Sequence, residues 1–224
     1  PMTAGLNTLY FFLNTGVGFI LIGMMLYYFV KDRESAYQKL QQNEAHIREL
    51  MLTDPLTGLP NRRALDERLQ EEMRYARHMN SKFCVVMMDL DGFKNVNDTL
   101  GHSVGDDVLS DAFNYLAEKM RSTDFLARYG GDELTLVMRD TGLEVGEAVT
   151  NKIIDLMKNY TFPIPGRKPV QLGITAGIAV YPLHSHNAGD LLRAADAALY
   201  HAKKYNRGKY IIAKGATGPL APTT

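Results

Sequence analysis

Phe83–Lys94 reads FCVVMMDLDGFK, an unbroken apolar run from Phe83 to Met88 that ends in Asp89, Leu90, Asp91 and Gly92. A short apolar run bounded by a glycine turn reads as a strand buried on both faces, and such a strand needs helices packed above and below it. The flanking sequence supplies them. Leu65 to Met79 reads as a helix before the strand. Val104 to Met120 reads as an amphipathic helix after it, with Val104, Val108, Ala112, Leu116 and Met120 on one stripe. Phe125 to Tyr129 and Leu134 to Met138 are strand-like and joined across the tight Gly130-Gly131 turn, a β-hairpin. A helix from Glu144 to Tyr160, a strand from Gln171 to Tyr181, a helix from Asp190 to Tyr205 and a last strand from Tyr210 to Ala213 complete the pattern. The fold class is α/β, with a mixed central β-sheet flanked by helices.

Upstream the character of the chain changes. The first charged residue is Lys31, and Leu9 to Val30 is nearly continuous apolar sequence. At about 1.5 Å per residue this stretch spans about 33 Å as a helix, enough for a bilayer core of about 30 Å. Tyr10 at one end, Tyr27 and Tyr28 at the other, and Lys31 and Arg33 just beyond suit a span whose C-terminal side is cytoplasmic. The predicted organisation is a transmembrane segment over 1–30, a helical linker over 31–52, the α/β domain over 53–213 and a disordered tail over 214–224. The lipid bilayer is thus an expected partner through residues 9–30, and the domain is expected on the cytoplasmic side of the inner membrane. In the linker Tyr37, Leu40, Glu44, Ile47 and Met51 keep a short heptad spacing, the pattern of a solvated amphipathic rod or of a brief coiled coil. Because the first residue is Pro1, a further upstream portion is expected.

Composition excludes two classes. Lys+Arg and Asp+Glu are both 25, so no net charge draws the chain to a polyanion, and no nucleic-acid partner is expected. The lone cysteine, Cys84, lies inside the apolar run, where it reads as a small buried thiol and offers neither a disulfide nor a thiolate metal cage. His184 and His186 flank Ser185 and read as solvated loop residues.

Chemistry is concentrated in two acidic turns, Asp89-Leu90-Asp91-Gly92-Phe93-Lys94 and Gly130-Gly131-Asp132-Glu133. A strand end that enters a glycine turn exposes backbone N–H groups able to cradle an anion, while carboxylates beside it hold a hard cation. Phosphate with a divalent metal is the chemistry such a pair suits.

These residues carry a family resemblance. Asp89 to Lys94 with Asn97-Asp98, Gly101-His102 and Gly105-Asp106, followed by Arg128-Tyr129-Gly130-Gly131-Asp132-Glu133-Leu134, resembles the GGDEF diguanylate cyclases. Asp54-Pro55-Leu56-Thr57-Gly58-Leu59-Pro60-Asn61-Arg62 is similar to that family's opening signature, and Tyr200-His201-Ala202-Lys203 to its closing helix motif. Two departures stand out. Leu134 replaces the usual Phe at the start of the outgoing strand, where it should face the core, and Asn206-Arg207-Gly208 replaces the usual Gly-Arg-Asn.

The resemblance implies the palm-like nucleotide cyclase fold and the condensation of two GTP into cyclic di-GMP by a homodimer. The alternative it leaves is a degenerate domain that binds cyclic di-GMP or GTP without turnover. It implies Mg²⁺ or Mn²⁺, two per site, on Asp89, Asp132 and the Leu90 carbonyl, with Glu133 in metal contact or just behind. Asp132 takes the role of base and Lys94 stabilises transition-state charge. The Gly92 and Phe93 amides cradle phosphate, and Lys203 and Arg207 contact phosphates from the last helix. Asn97 and Asp106 read guanine, since a carboxylate can accept from both N1–H and N2–H, and His102 lines the nucleotide pocket. Arg121-Ser122-Thr123-Asp124 matches the family's RxxD inhibitory site, so Arg121 and Asp124 are the expected product-binding pair.

Overall fold

The computed structural model describes residues 2–166 and 168–215. From residue 216 onward the expected tail lies outside the described residues, as do the side chains of the seam positions Glu44 and Ile47. The chain divides into two compact units, 1–49 and 50–224.

In the first unit, helix α1 (Met2–Leu52) starts, and it runs unbroken through the positions where sequence separates span from linker. Its stretch Thr15–Gln41 is, among the described residues, the one helix long and apolar enough to cross a membrane. That stretch overlaps the expected Leu9–Val30 span. Phe19, Ile20, Leu21, Ile22 and Met24 on it are all exposed, and at 100° per residue they are spread around the whole helix rather than along one stripe.

The second unit is built on β1 (Phe83–Asp91), whose residues from Phe83 to Leu90 are all buried. Side chains alternate across a strand, and the two cores follow that alternation. Cys84, Val86, Met88 and Leu90 face one cluster with Val108, Phe113 and Leu116 of α4 (His102–Lys119) and Ile153 and Met157 of α5 (Leu143–Asn159). Phe83, Val85 and Met87 face the other, made with Leu65, Leu69 and Met73 of α2 (Arg62–Met79) and Leu191, Ala195 and Leu199 of α6 (Ala188–Tyr205).

The sheet order is β2-β3-β1-β6-β7, from β2 (Asp124–Gly130), β3 (Glu133–Arg139), β6 (Gly173–Tyr181) and β7 (Tyr210–Ile212). β1 is antiparallel to both neighbours, and only β6 and β7 run parallel. The register sets Asp89 opposite Glu133 on one side and Thr175 on the other. α6 lies so close on β6 that a Cβ at Gly177 would overlap the backbone of Ala195 and Leu199.

Three short elements were not foreseen. Helix α3 (Phe93–Leu100) fills what reads as a polar turn, and β4 (Thr161–Phe162) pairs with β5 (Val170–Gln171) as a separate small ribbon. The expectation for His184 is corrected. It is buried, and its Nδ1 accepts the Val180 N–H at 2.9 Å, so the ring caps the end of β6 instead of standing in solvent. Leu134 and Cys84 are fully buried, as expected.

Candidate active site

Asp89 and Asp91 are two residues apart on a strand, so both carboxylates project from the α6 face of β1. Lys203, in the last turn of α6, forms an ion pair with Asp89, and Arg207, just past the helix end, lies 3.4 Å from Asp91. The other Asp91 oxygen accepts from Thr175 Oγ1 at 2.6 Å, and that hydroxyl in turn accepts the Gly208 N–H at 2.8 Å. The rearranged Asn206-Arg207-Gly208 turn is thereby tied to β6, and Arg207 reaches the site despite its departure from the usual order.

Beyond Asp91 the chain turns through Gly92, whose φ of 87° falls in the left-handed region that favours glycine. The turn delivers the N-terminus of α3 to the same place, with Lys94 exposed on its first turn. From the other side the hairpin between β2 and β3 brings Asp132, whose carbonyl accepts the Leu90 N–H at 3.2 Å. Asp89, Leu90, Gly92, Phe93, Lys94, Asp132, Lys203 and Arg207 line one depression of about 440 Å³.

Its electrostatics are those of crowded acids. Burial, with the charges of Asp132 and Glu133 adding to it, pushes Asp89 up to about 6 against the opposing Lys203 ammonium. Burial also raises Glu133, with Asp196 and Asp132 adding while Lys203 and Arg62 oppose. Among the described residues no three His, Cys, Asp or Glu side chains form a ready metal cage. One or two carboxylates with a strand-end carbonyl nonetheless suit a hard divalent cation that completes its shell with phosphate oxygens. The donor set fits Mg²⁺ or Mn²⁺.

Not every expected residue lines this depression. Glu133 stands behind it as the cross-strand partner of Asp89. Asn97, His102 and Asp106 lie on α3 and the start of α4. There Asn97 Oδ1 is buried without a hydrogen-bond partner, and a Cβ at Gly105 would overlap it. Arg121 and Asp124 line a separate depression of about 480 Å³ with Lys119, Glu144 and Lys152, and the Arg121 N–H donates to Asp124 Oδ2 at 3.2 Å.

Sequence reasoning missed Asp91, Thr175, Arg62, Asp54 and Arg128 as parts of the site's surroundings. For Asp91 the signal was present, since strand alternation puts it on the same face as Asp89. Thr175 comes from a distant strand, and no local pattern marks it.

A family model described as diguanylate cyclase, GGDEF domain, matches residues 51–209. The chain belongs to the GGDEF family. Among its relatives it is 36% identical over 167 residues to diguanylate cyclase DgcP of Pseudomonas aeruginosa, covering 74% of this chain and 24% of that protein. It is 33% identical over 185 residues to diguanylate cyclase TpbB of the same species, covering 82% and 42%. The chain spans about a quarter of the length of the first curated relatives it matches. The solved GGDEF domain of TpbB superposes with a TM-score of 0.68 at 33% identity, covering 70% of this chain and 98% of that one. A coiled coil and GGDEF domain of DgcB from Caulobacter crescentus, solved with c-di-GMP, gives a TM-score of 0.77 at 24% identity, covering 84% and 99%, a likeness of fold. The mixed α/β sheet flanked by helices is the fold of this GGDEF domain.

Proposed function

We propose that this GGDEF chain is a membrane-anchored diguanylate cyclase that condenses two GTP into cyclic di-GMP and two pyrophosphates. The observation that carries the reading is the convergence of Asp89 and Asp132 with Lys203, Arg207 and the α3 N-terminus on one depression. Acids to hold a metal and cations to hold a triphosphate meet within one small volume.

In each half-reaction a 3′-hydroxyl oxygen bonds to the α-phosphorus of the other GTP. The α–β phosphoanhydride bond breaks, pyrophosphate leaves, and the hydroxyl proton departs. Asp89, Asp132 and the Leu90 carbonyl would hold Mg²⁺ or Mn²⁺, two per site, and the metal would supply Lewis acidity to the phosphate oxygens. Asp132 stands to accept the proton, with Glu133 behind it. Lys94 faces the charge that grows on the transferring phosphate, and Lys203 and Arg207 hold the departing pyrophosphate. The Gly92 and Phe93 amides at the start of α3 cradle phosphate oxygens. Asp106 accepts from guanine N1–H and N2–H beside Asn97, with His102 closing the pocket.

Each domain has one such depression, so the two GTP sites must come from two chains that meet face to face. Arg121 and Asp124 bind returning product on their separate depression. The exposed apolar circumference of α1 supports a bilayer anchor, because such a surface is stable only outside water. Incubating the full chain with GTP and Mg²⁺ and resolving the nucleotides by chromatography tests the reading. Formation of cyclic di-GMP, absent with Asp132→Ala, is the expected result.

A further inference from the structure

Strand pairing alone does not position the tip of the catalytic hairpin, although Glu133 pairs with Gly130 and with Asp89. The β2–β3 ladder is regular as far as Arg128↔Leu134, and then its register shifts between Arg128 and Gly130, leaving Tyr129 as a bulge. A bulge bends the strand, and only the Gly130↔Glu133 pair lies beyond it, so the direction of the turn depends on other contacts as well. Two carbonyls of the turn are held. Leu90 N–H donates to the Asp132 carbonyl. The Arg128 guanidinium donates to the Gly131 carbonyl twice, from Nε at 3.0 Å and from a terminal nitrogen at 2.9 Å.

The other arm of that guanidinium faces away from the hairpin. Its second terminal nitrogen donates to both oxygens of Asp54, at 2.9 and 3.1 Å. Asp54 is itself fixed in the opening turn, accepting from the Thr57 N–H at 2.9 Å and hydroxyl at 2.7 Å. Burial raises its pKa, but the bonds from Thr57 and Arg128 outweigh that and hold it below the ordinary value. Both side chains are mostly shielded, at 15% and 17% exposure, which separates the pair from the weak ion pairs of open surface. The same turn grips β2 at its neighbours. Arg128 N–H donates to the Pro60 carbonyl at 2.8 Å, and the Arg62 guanidinium lies 4.6 Å over the Tyr129 ring.

We propose that Arg128 is a positioning residue for the catalytic hairpin, with Asp54 as its charge anchor. The placing of Asp132 and Glu133 is then set by the turn that directly follows α1. A guanidinium can do this because its planar fork serves the carbonyl and the carboxylate together, whereas one ammonium cannot span both. A displacement of the chain at Asp54 moves the Gly131 carbonyl, and the site opens or closes with no contact between the displaced residue and substrate. The proposal rests on the cyclase reading above.

The test uses the full chain in nanodiscs, with Arg128→Met, Arg128→Lys and Asp54→Asn. Turnover and KM for GTP are measured beside amide hydrogen exchange by mass spectrometry. Arg128→Met should lower kcat roughly ten- to hundredfold, as small misplacements of reacting groups do, with KM little changed. Exchange should quicken over 130–133 and stay unchanged over 84–88. Arg128→Lys should fail to restore kcat, and Asp54→Asn combined with Arg128→Met should be no worse than Arg128→Met alone. Wild-type kcat and hairpin exchange in Arg128→Met would overturn the proposal. So would faster exchange spread evenly through 84–88, which marks a general loss of fold. If wild type makes no cyclic di-GMP, the cyclase reading fails, while the exchange data still decide whether Arg128 holds the hairpin.

Discussion

Asp89 is 5% exposed yet lies among other acids, and its carboxyl is pushed up to about 6 from an ordinary 3.8. Between those two values the folded chain binds more protons at this group than the unfolded chain does, so stability is lost as pH rises from about 4 to about 6. Asp89→Asn removes the charge. In metal-free buffer it should melt near wild type at pH 4 and be more stable at pH 7.5, by about 1 kcal/mol once solvent near Lys203 is allowed for. Equal melting differences at both pH values would show that Asp89 is not under strain. Asp132 is half-exposed at a turn, so Asp132→Ala should leave the melting temperature within about 2 °C. Turnover should nonetheless fall at least about a hundredfold, because the carboxylate proposed to hold metal is gone. Asp89 and Asp132 were legible in the sequence, one at the end of an apolar run and the other in a glycine turn. Asp54 and Arg128 were not legible as a pair, because they lie far apart in sequence and meet only through the packing of the opening turn on β2.

Glycine spacing controls how the helices seat on the sheet. At Gly177 an added Cβ would strike the backbone of α6, which cannot swing aside, so Gly177→Ala should cost about 3 kcal/mol in urea unfolding. The displaced helix carries Lys203, so turnover should fall with it. Gly105→Ala meets instead the end of the Asn97 side chain, which can rotate away. Its expected effect is on KM for GTP, raised about tenfold if the guanine contact proposed for Asn97 is lost, with thermal stability nearly kept. A KM unchanged in that variant would remove Asn97 from guanine recognition. The main helices and strands were readable from periodicity because each has a long apolar stripe or run. Helix α3 was not, since its eight residues bury only Phe93 and Val96. It forms because Gly92 and Gly101, with φ of 87° and 88°, turn the chain sharply at both ends.

At the scale of the molecule the proposed reaction calls for two chains, and mixing tests this. With a ninefold excess of Asp132→Ala chain, random pairing leaves each wild-type chain about one chance in ten of an active partner. Cyclic di-GMP formed per wild-type chain should therefore fall to about a tenth, while mixed pairs can still make one bond and release a linear dinucleotide. Undiminished cyclic product would mean that one chain suffices. Asn61, in the opening signature, joins two helices through their backbones. It caps α2 by accepting from the Ala64 N–H, while its side-chain amide donates to the Met51 carbonyl and its backbone N–H to the Leu52 carbonyl. One residue thus finishes one helix and begins the next. A foreign input helix that reaches residue 50 in helical form should keep these bonds, because Asn61 makes them to the backbone carbonyls of 51 and 52.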